Sequence, residues 1–231
     1  MKKLWRWGGR AALLLIGLIL TYQLWIFAHV VWWNFYNPST SAFMEDRLEV
    51  LQEKNPDANL RHKWVPYKKI SMNLKRALVA SEDANFLEHE GFDWEAMQKA
   101  YEKNLKKGKV VAGGSTISQQ LAKNLFLSGQ RSVFRKLEEA IITVMIEAVM
   151  DKRRIFEIYL NIIEWGNGVF GAEAASRYYF RKSASELDAW EAAKLAAMVP
   201  NPRFYDRHRD TAYLQRRTSL ILARMPSSEV P

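Results

Sequence analysis

Cysteine is absent from the 231 residues. That excludes a disulfide scaffold, a thiolate zinc site, an iron–sulfur cluster and a cysteine nucleophile, although it does not identify the compartment. The four histidines are far apart, and no His-Glu-x-x-His pattern is present for zinc. Gly108 and Gly113 have the spacing of a phosphate loop, but Gly114 stands where that loop's lysine belongs. Period-two alternation is scarce, so strands are a minor expectation, and there is no internal repeat or low-complexity tract.

The most informative absence is of charge. Ala11 to Trp33 contains no Asp, Glu, Lys or Arg. At 1.5 Å per residue such a helix spans roughly 34 Å, enough to cross a bilayer core of about 30 Å. Gln23 and His29 are its polar exceptions, and Trp32 and Trp33 fall where an interfacial aromatic belt is expected. A cleaved signal peptide usually has a shorter apolar region ending in small residues, whereas this one ends in Val-Val-Trp-Trp. Residues 1–10 carry Lys2, Lys3, Arg6 and Arg10 and no acid. The positive-inside bias therefore predicts an uncleaved anchor with a cytoplasmic N-terminus and everything after about Asn34 outside.

What remains is apolar-rich and basic. A hydrophobic fraction of 48% and an aromatic fraction of 13% argue against intrinsic disorder. Lys and Arg total 34 against 25 Asp and Glu, a net +9, of which residues 34–231 keep +5. Outside the membrane, that excess favours lipid head groups or an anionic substrate over nucleic acid.

This outer part reads as helical. Asn37-Pro38 breaks the anchor, and 34–65 is expected as a linker. Ser71, Asp93, Ser115, Ser132 and Asp151 are each placed to cap a helix. In the Ser132 helix Ile141, Val144, Met145 and Ala148 are apolar. Ser185-Glu186-Leu187-Asp188 opens a last strong helix, halted by Pro200 and Pro202, and the tail 226–231 is expected to be loose.

Three constellations carry potential chemistry. Glu82-Asp83-x-x-Phe86-x-x-His89-x-Gly91 ends the Ser71 helix. Phe86 and Phe92 there offer an apolar wall, which would prepare a carboxylate for proton transfer. The plain alternative is a solvated Glu-Asp pair at a helix end. In Gly113-Gly114-Ser115-Thr116-Ile117-Ser118-Gln119-Gln120 and the following Lys123 and Asn124, glycines feed a helix start. The helix faces there gather hydroxyl, amide and ammonium donors suited to phosphate or sugar. A capped amphipathic helix explains the same pattern. In Arg135-Lys136-x-x-Glu139, the i,i+4 pair would by itself be an ordinary surface salt bridge.

In this order the motifs are specific. Together with Lys152-x-x-Ile155-Phe156-Glu157-Ile158-Tyr159-Leu160-Asn161, they resemble the glycosyltransferase family 51 domain of peptidoglycan polymerases. Ser118 stands for the family's usual threonine and Phe156 for its leucine, and the resemblance runs from about Pro66 to Pro202. No room remains for a transpeptidase domain, so the chain is similar to the stand-alone, monofunctional form.

The resemblance implies a mainly α, lysozyme-like domain over 66–225, with a small mobile membrane-proximal lobe near 92–112. It implies polymerisation of lipid II, with release of undecaprenyl diphosphate. Glu82 matches the family's general base, and Glu139 matches its second carboxylate. Lys123, Arg135 and Lys136 match the cations on the diphosphate. Ser115, Thr116, Gln120 and Asn124 are expected to bind the donor, while Asp83, Phe86 and His89 shape the site. No cofactor is required by these residues, but a divalent magnesium or manganese ion at the diphosphate near Glu139 is left open. The implied partners are lipid II, the growing lipid-linked glycan chain, the membrane and other cell-wall synthesis or division proteins. Two alternatives stand beside this reading: a lytic, lysozyme-like murein-cleaving enzyme, which needs neither the cations nor the anchor, and a catalytically silent anchored scaffold.

Overall fold

The computed structural model describes residues 2–109, 113–127, 129 and 132–231. The side chains of Lys2, Lys3 and Arg6, and residues 110–112 of the lysine- and glycine-rich loop, lie outside that description. Helix α1 covers Lys2–Phe35 and includes an apolar stretch, Gly9–Phe35, long enough to cross a membrane. The body that follows is mainly helical and lysozyme-like.

The chain order shows which elements build the site. Helices α2 (Ala42–Gln52), α3 (Met72–Glu82), α4 (Trp94–Lys107), α5 (Ile117–Phe126), α6 (Val133–Val149) and α7 (Lys152–Ile162) come first. Then come α8 (Ala172–Phe180), α9 (Ala189–Met198), α10 (Pro202–Arg207) and α11 (Ala212–Arg224). Short strands β1 (Arg61–His62), β2 (Glu164–Gly166) and β3 (Val169–Phe170) form one sheet in the order β1-β3-β2, with β1 parallel and β2 antiparallel to β3.

Short polar side chains start most of these helices. Ser71, Asp93, Ser132 and Asp151 each accept a hydrogen bond from the backbone N–H three residues on, as their sequence contexts predict. Each such cap contributes about 1 kcal/mol. The α5 cap is Thr116 rather than Ser115, because Thr116 shares a reciprocal capping box with Gln119 and also donates to the Gly91 carbonyl at 2.7 Å. Asp188 caps α9, while the Ser183–Glu186 stretch forms its own single turn. The helix halted by the prolines is not the last: Pro202 sits in the first turn of α10, and α11 follows, packed on α3 and α9.

Two further expectations are corrected. Segment 34–65 is no simple linker, since it holds α2, capped by Ser41, and β1. Asn161 of α7 pins its end, accepting from the Val65 N–H at 2.9 Å and donating to the Val65 carbonyl at 3.0 Å. The tail is not loose, because Met225 is buried and the Tyr67 hydroxyl donates to the Pro231 carbonyl at 2.5 Å. On α6, Ile142, Thr143 and Ile146 face the core, whereas Ile141 and Val144 are 47% and 57% exposed. With Val133, Phe134 and Leu137 they make an outward apolar stripe on the helix that packs against α1.

The C-terminal end of α1 is part of the body. Ile26 and Val30 are fully buried, and the Trp33 ring lies 5.1 Å from that of Phe126. Arg154 of α7 caps the helix end, donating to the carbonyls of Trp33 and Tyr36 at 2.7 Å each and to Asn37 Oδ1 at 2.9 Å. By contrast α4 stands apart from the core, with Ala100 as its one buried residue. The glycine pair lets the next segment pass close to it: a Cβ on Gly114 would lie 3.1 Å from the Met97 backbone.

Candidate active site

Glu82 is the last residue of α3, where the helix delivers its carboxylate to a cleft with 11% of the side chain exposed. Ser81 Oγ donates to Oε1 at 3.0 Å, and Arg217 Nη2 of α11 lies 3.5 Å from the same oxygen. Gln120 Nε2 of α5 donates to Oε2 at 3.1 Å. The adjoining cavity of about 410 Å³ is lined by Glu82, Ser115, Gln120, Lys103, Tyr213 and Arg217, among others. Phe86 and Phe92 line neither cavity at Glu82, so they are not the expected wall. Phe86 is wholly buried against Phe156, and Phe92 stacks on Trp94.

Asp83 does a different job from its neighbour. Its Oδ1 accepts from His89 Nε2 and its Oδ2 from the Ile117 N–H, both at 2.9 Å. It therefore ties α3, the following turn and the first turn of α5 together. Lys152 extends this frame, donating to the His89 carbonyl and to Glu147 Oε1, which also accepts from Ser118 Oγ. Gly91 admits the close packing: φ is +89°, and an added Cβ would lie 2.8 Å from Thr143 Cγ2. Asp83 and His89 thus brace the elements that carry Glu82, and Thr116 joins them, with its hydroxyl spent on the cap and Gly91.

A second cavity of about 280 Å³ shares Gln120 with the first and is lined by Lys123, Asn124 and Arg135. Asn124 donates to the Gln120 carbonyl at 2.7 Å. Lys123 lies with its ammonium 5.2 Å from the Phe43 ring centre. Burial lowers its pKa; Glu139 opposes this, and Arg135 and Lys136 reinforce it.

The Arg135–Glu139 pair is no surface ornament. Glu139 is 3% exposed, facing inward on the α6 side that buries Ile142. Its Oε2 lies 3.5 Å from Arg135 Nη1, and its Oε1 accepts from Lys136, whose Nζ also approaches Ser115 Oγ at 3.3 Å. Arg135 Nε and Nη1 are buried without a hydrogen-bond partner among the described residues. Unspent buried donors on a cation fit an anion that occupies the cavity.

The cleft also holds residues that motif reading passed over. Arg217 carried no signal beyond Arg216-Arg217 in a basic stretch. On the far wall Glu164 sits between Arg203 at 3.4 Å and Arg47 at 3.8 Å, its pKa raised by burial against the pull of both cations. Its only sequence cue was a position before a glycine-rich turn.

A carboxylate with room for a hydroxyl beside it, next to a group of cations of which Arg135 has buried donors unspent, is the equipment of group transfer onto a sugar from an anionic leaving group. The family model described as transglycosylase matches residues 48–226. The chain belongs to this family, the glycosyltransferases of peptidoglycan assembly. Among its relatives is a biosynthetic peptidoglycan transglycosylase of Chromobacterium violaceum, 65% identical over 94% of this chain and 95% of the relative. Two others carry the same name: that of Nitrosospira multiformis is 62% identical over 98% of each chain, and that of Thiobacillus denitrificans 60% identical over the full length of both.

Proposed function

We propose that the chain polymerises lipid II into β-1,4-linked glycan strands and releases undecaprenyl diphosphate, by single displacement with inversion. Glu82 is the general base. It takes the proton from the 4-hydroxyl of the acceptor's N-acetylglucosamine as that oxygen bonds to the anomeric carbon of the lipid-linked growing chain. The bond from that carbon to the diphosphate oxygen breaks, and its electron pair leaves with the diphosphate. Lys123, Arg135 and Lys136 meet the charge that develops there, where fixed cations in a dry site act most strongly. Glu139 orients two of them, and Ser115, Gln120 and Asn124 face the donor. The observation that carries this reading is the pairing of Glu82 with a cation-lined cavity, where Arg135 has buried donors unspent, across one shared residue, Gln120.

The donors around Glu139 do not fit a resident divalent ion. Both carboxylate oxygens face cations, and no cluster of three or more Asp, Glu or His side chains suited to a metal is present among the described residues. A magnesium or manganese ion would have to take its ligands from the substrate's phosphates, and no step depends on it.

The anchor supports the substrate assignment. The basic flank of Lys2, Lys3, Arg6 and Arg10 favours a cytoplasmic N-terminus in the inner membrane. The catalytic body then lies in the periplasm at the membrane surface, which brings enzyme and lipid-linked substrate to one plane. The exposed apolar stripe of α6 beside α1 is suited to lipid contact there. Other cell-wall synthesis or division proteins are natural partners at that surface, and nucleic acid is not.

Purified protein given labelled lipid II, and separately isolated sacculi, tests the reading. Polymer from lipid II is expected. Solubilised muropeptides would establish the lytic alternative, and the absence of both products the silent scaffold.

A further inference from the structure

The base assignment leaves a geometric question: what holds the neutral partner of Glu82 in the right orientation. Gln120 sits between two groups on different helices. Its Nε2 donates to Glu82 Oε2 at 3.1 Å and reaches the Ser115 carbonyl at 3.5 Å, while its Oε1 accepts from the Tyr159 hydroxyl at 3.0 Å. The two ends of an amide are nearly identical in shape and differ only in hydrogen-bonding chemistry. Turned over, Gln120 would set its oxygen against the Glu82 carboxylate and the Ser115 carbonyl, acceptor against acceptor.

Tyr159 decides between these orientations. It is fully buried, and Gln120 is the one hydrogen-bond partner of its hydroxyl among the described residues. Burial, reinforced by the charges of Glu82 and Asp83, pushes the phenol well above its ordinary pKa, so it remains a donor. Its ring is held independently of the hydroxyl. Neighbouring Phe156 packs on Phe86, and Glu157 and Asn161 of the same helix bind the Tyr67 and Val65 backbone.

We propose that Tyr159 is a positioning residue for glycosyl transfer: its hydroxyl fixes the Gln120 amide so that Nε2 faces Glu82 and holds the carboxylate toward the cleft. The proposal rests on Glu82 being the base.

The test uses the full chain in detergent or vesicles with lipid II. Tyr159→Phe keeps the ring and removes the donor. It is expected to lower kcat about tenfold by misplacing the base, with KM within about twofold. Gln120→Ala is expected to lose a similar factor, and adding Tyr159→Phe to it should change nothing further, because the hydroxyl acts through the amide. Unchanged kcat in Tyr159→Phe, or losses that multiply in the double variant, would overturn the proposal. So would a Tyr159→Phe chain that fails to fold, since the hydroxyl would then be holding the core. Glu82→Gln separates the two levels: full turnover there removes the base assignment itself, whereas an inactive Glu82→Gln with multiplying losses removes only the role of Tyr159.

Discussion

Glu82 and Glu139 serve the same cleft and are held differently. Glu82 ends a helix and takes hydrogen bonds from the neutral Ser81 and Gln120 and, at 3.5 Å, from the Arg217 guanidinium. Glu139 lies mid-helix, is 3% exposed and has cations at both oxygens. Glu139 thus has a cation at each oxygen, whereas Glu82 has one, at Oε1. At Glu82 the other oxygen, Oε2, meets the neutral Gln120 amide. On the proposed reading, proton transfer falls to the α3 end of the cleft and charge stabilisation to the α6 end.

The sharpest way to break that division is to exchange the burden of loss. Glu82→Gln keeps the shape and removes the basic oxygen, so the chemical step should fall by at least about a thousandfold in lipid II turnover. Lys123→Ala removes one fixed charge at the other end and should cost about a hundredfold. If Lys123→Ala proved the more damaging of the two, with Glu82→Gln nearly active, the two ends would have to swap roles. Glu139→Gln should be milder, about tenfold in kcat, because the cations it orients remain present. It should also lower the thermal midpoint by a few degrees, since Arg135 loses its buried counter-charge. Loss of activity equal to that of Glu82→Gln would make Glu139 a second proton carrier.

How much of this could be read beforehand depended on how locally each feature is encoded. Glu82, Gln120, Lys123 and Arg135 lie in three short motifs, and the fold brings them to one cleft. The Ser71, Asp93, Ser132 and Asp151 caps were legible because a cap needs only its own next three residues. The choice of Thr116 over Ser115 was not, since it depends on the Gly91 carbonyl, 25 positions away. Arg217 and Glu164 were hidden for the same reason, as isolated charges whose partners come from α3, α2 and α10. The inward face of α6 was ambiguous because apolar residues stand on both sides of that helix, and only packing against α1 and α5 separates them. Pro202 was misleading in another way: the residue that bars continuation of α9 also starts α10 well.

The smallest expected effect bears on the charge-stabilising end alone. Burial lowers the Lys123 pKa, with Arg135 and Lys136 adding to it and Glu139 and Glu82 opposing. A lowered pKa means that the ammonium gives up its proton at lower pH than an ordinary lysine, near 10.4. The free-enzyme profile of kcat/KM should therefore begin to fall on the alkaline side below that value. Lys123→Arg puts a guanidinium in its place, which stays protonated throughout. Its alkaline limb should move to higher pH even though activity at neutral pH drops a few-fold from imperfect geometry. A limb that stayed in place would show that another group sets it, and that Lys123 keeps its proton despite its surroundings. A limb that moved would tie the alkaline loss to Lys123 and so to the cation-lined side of the cleft.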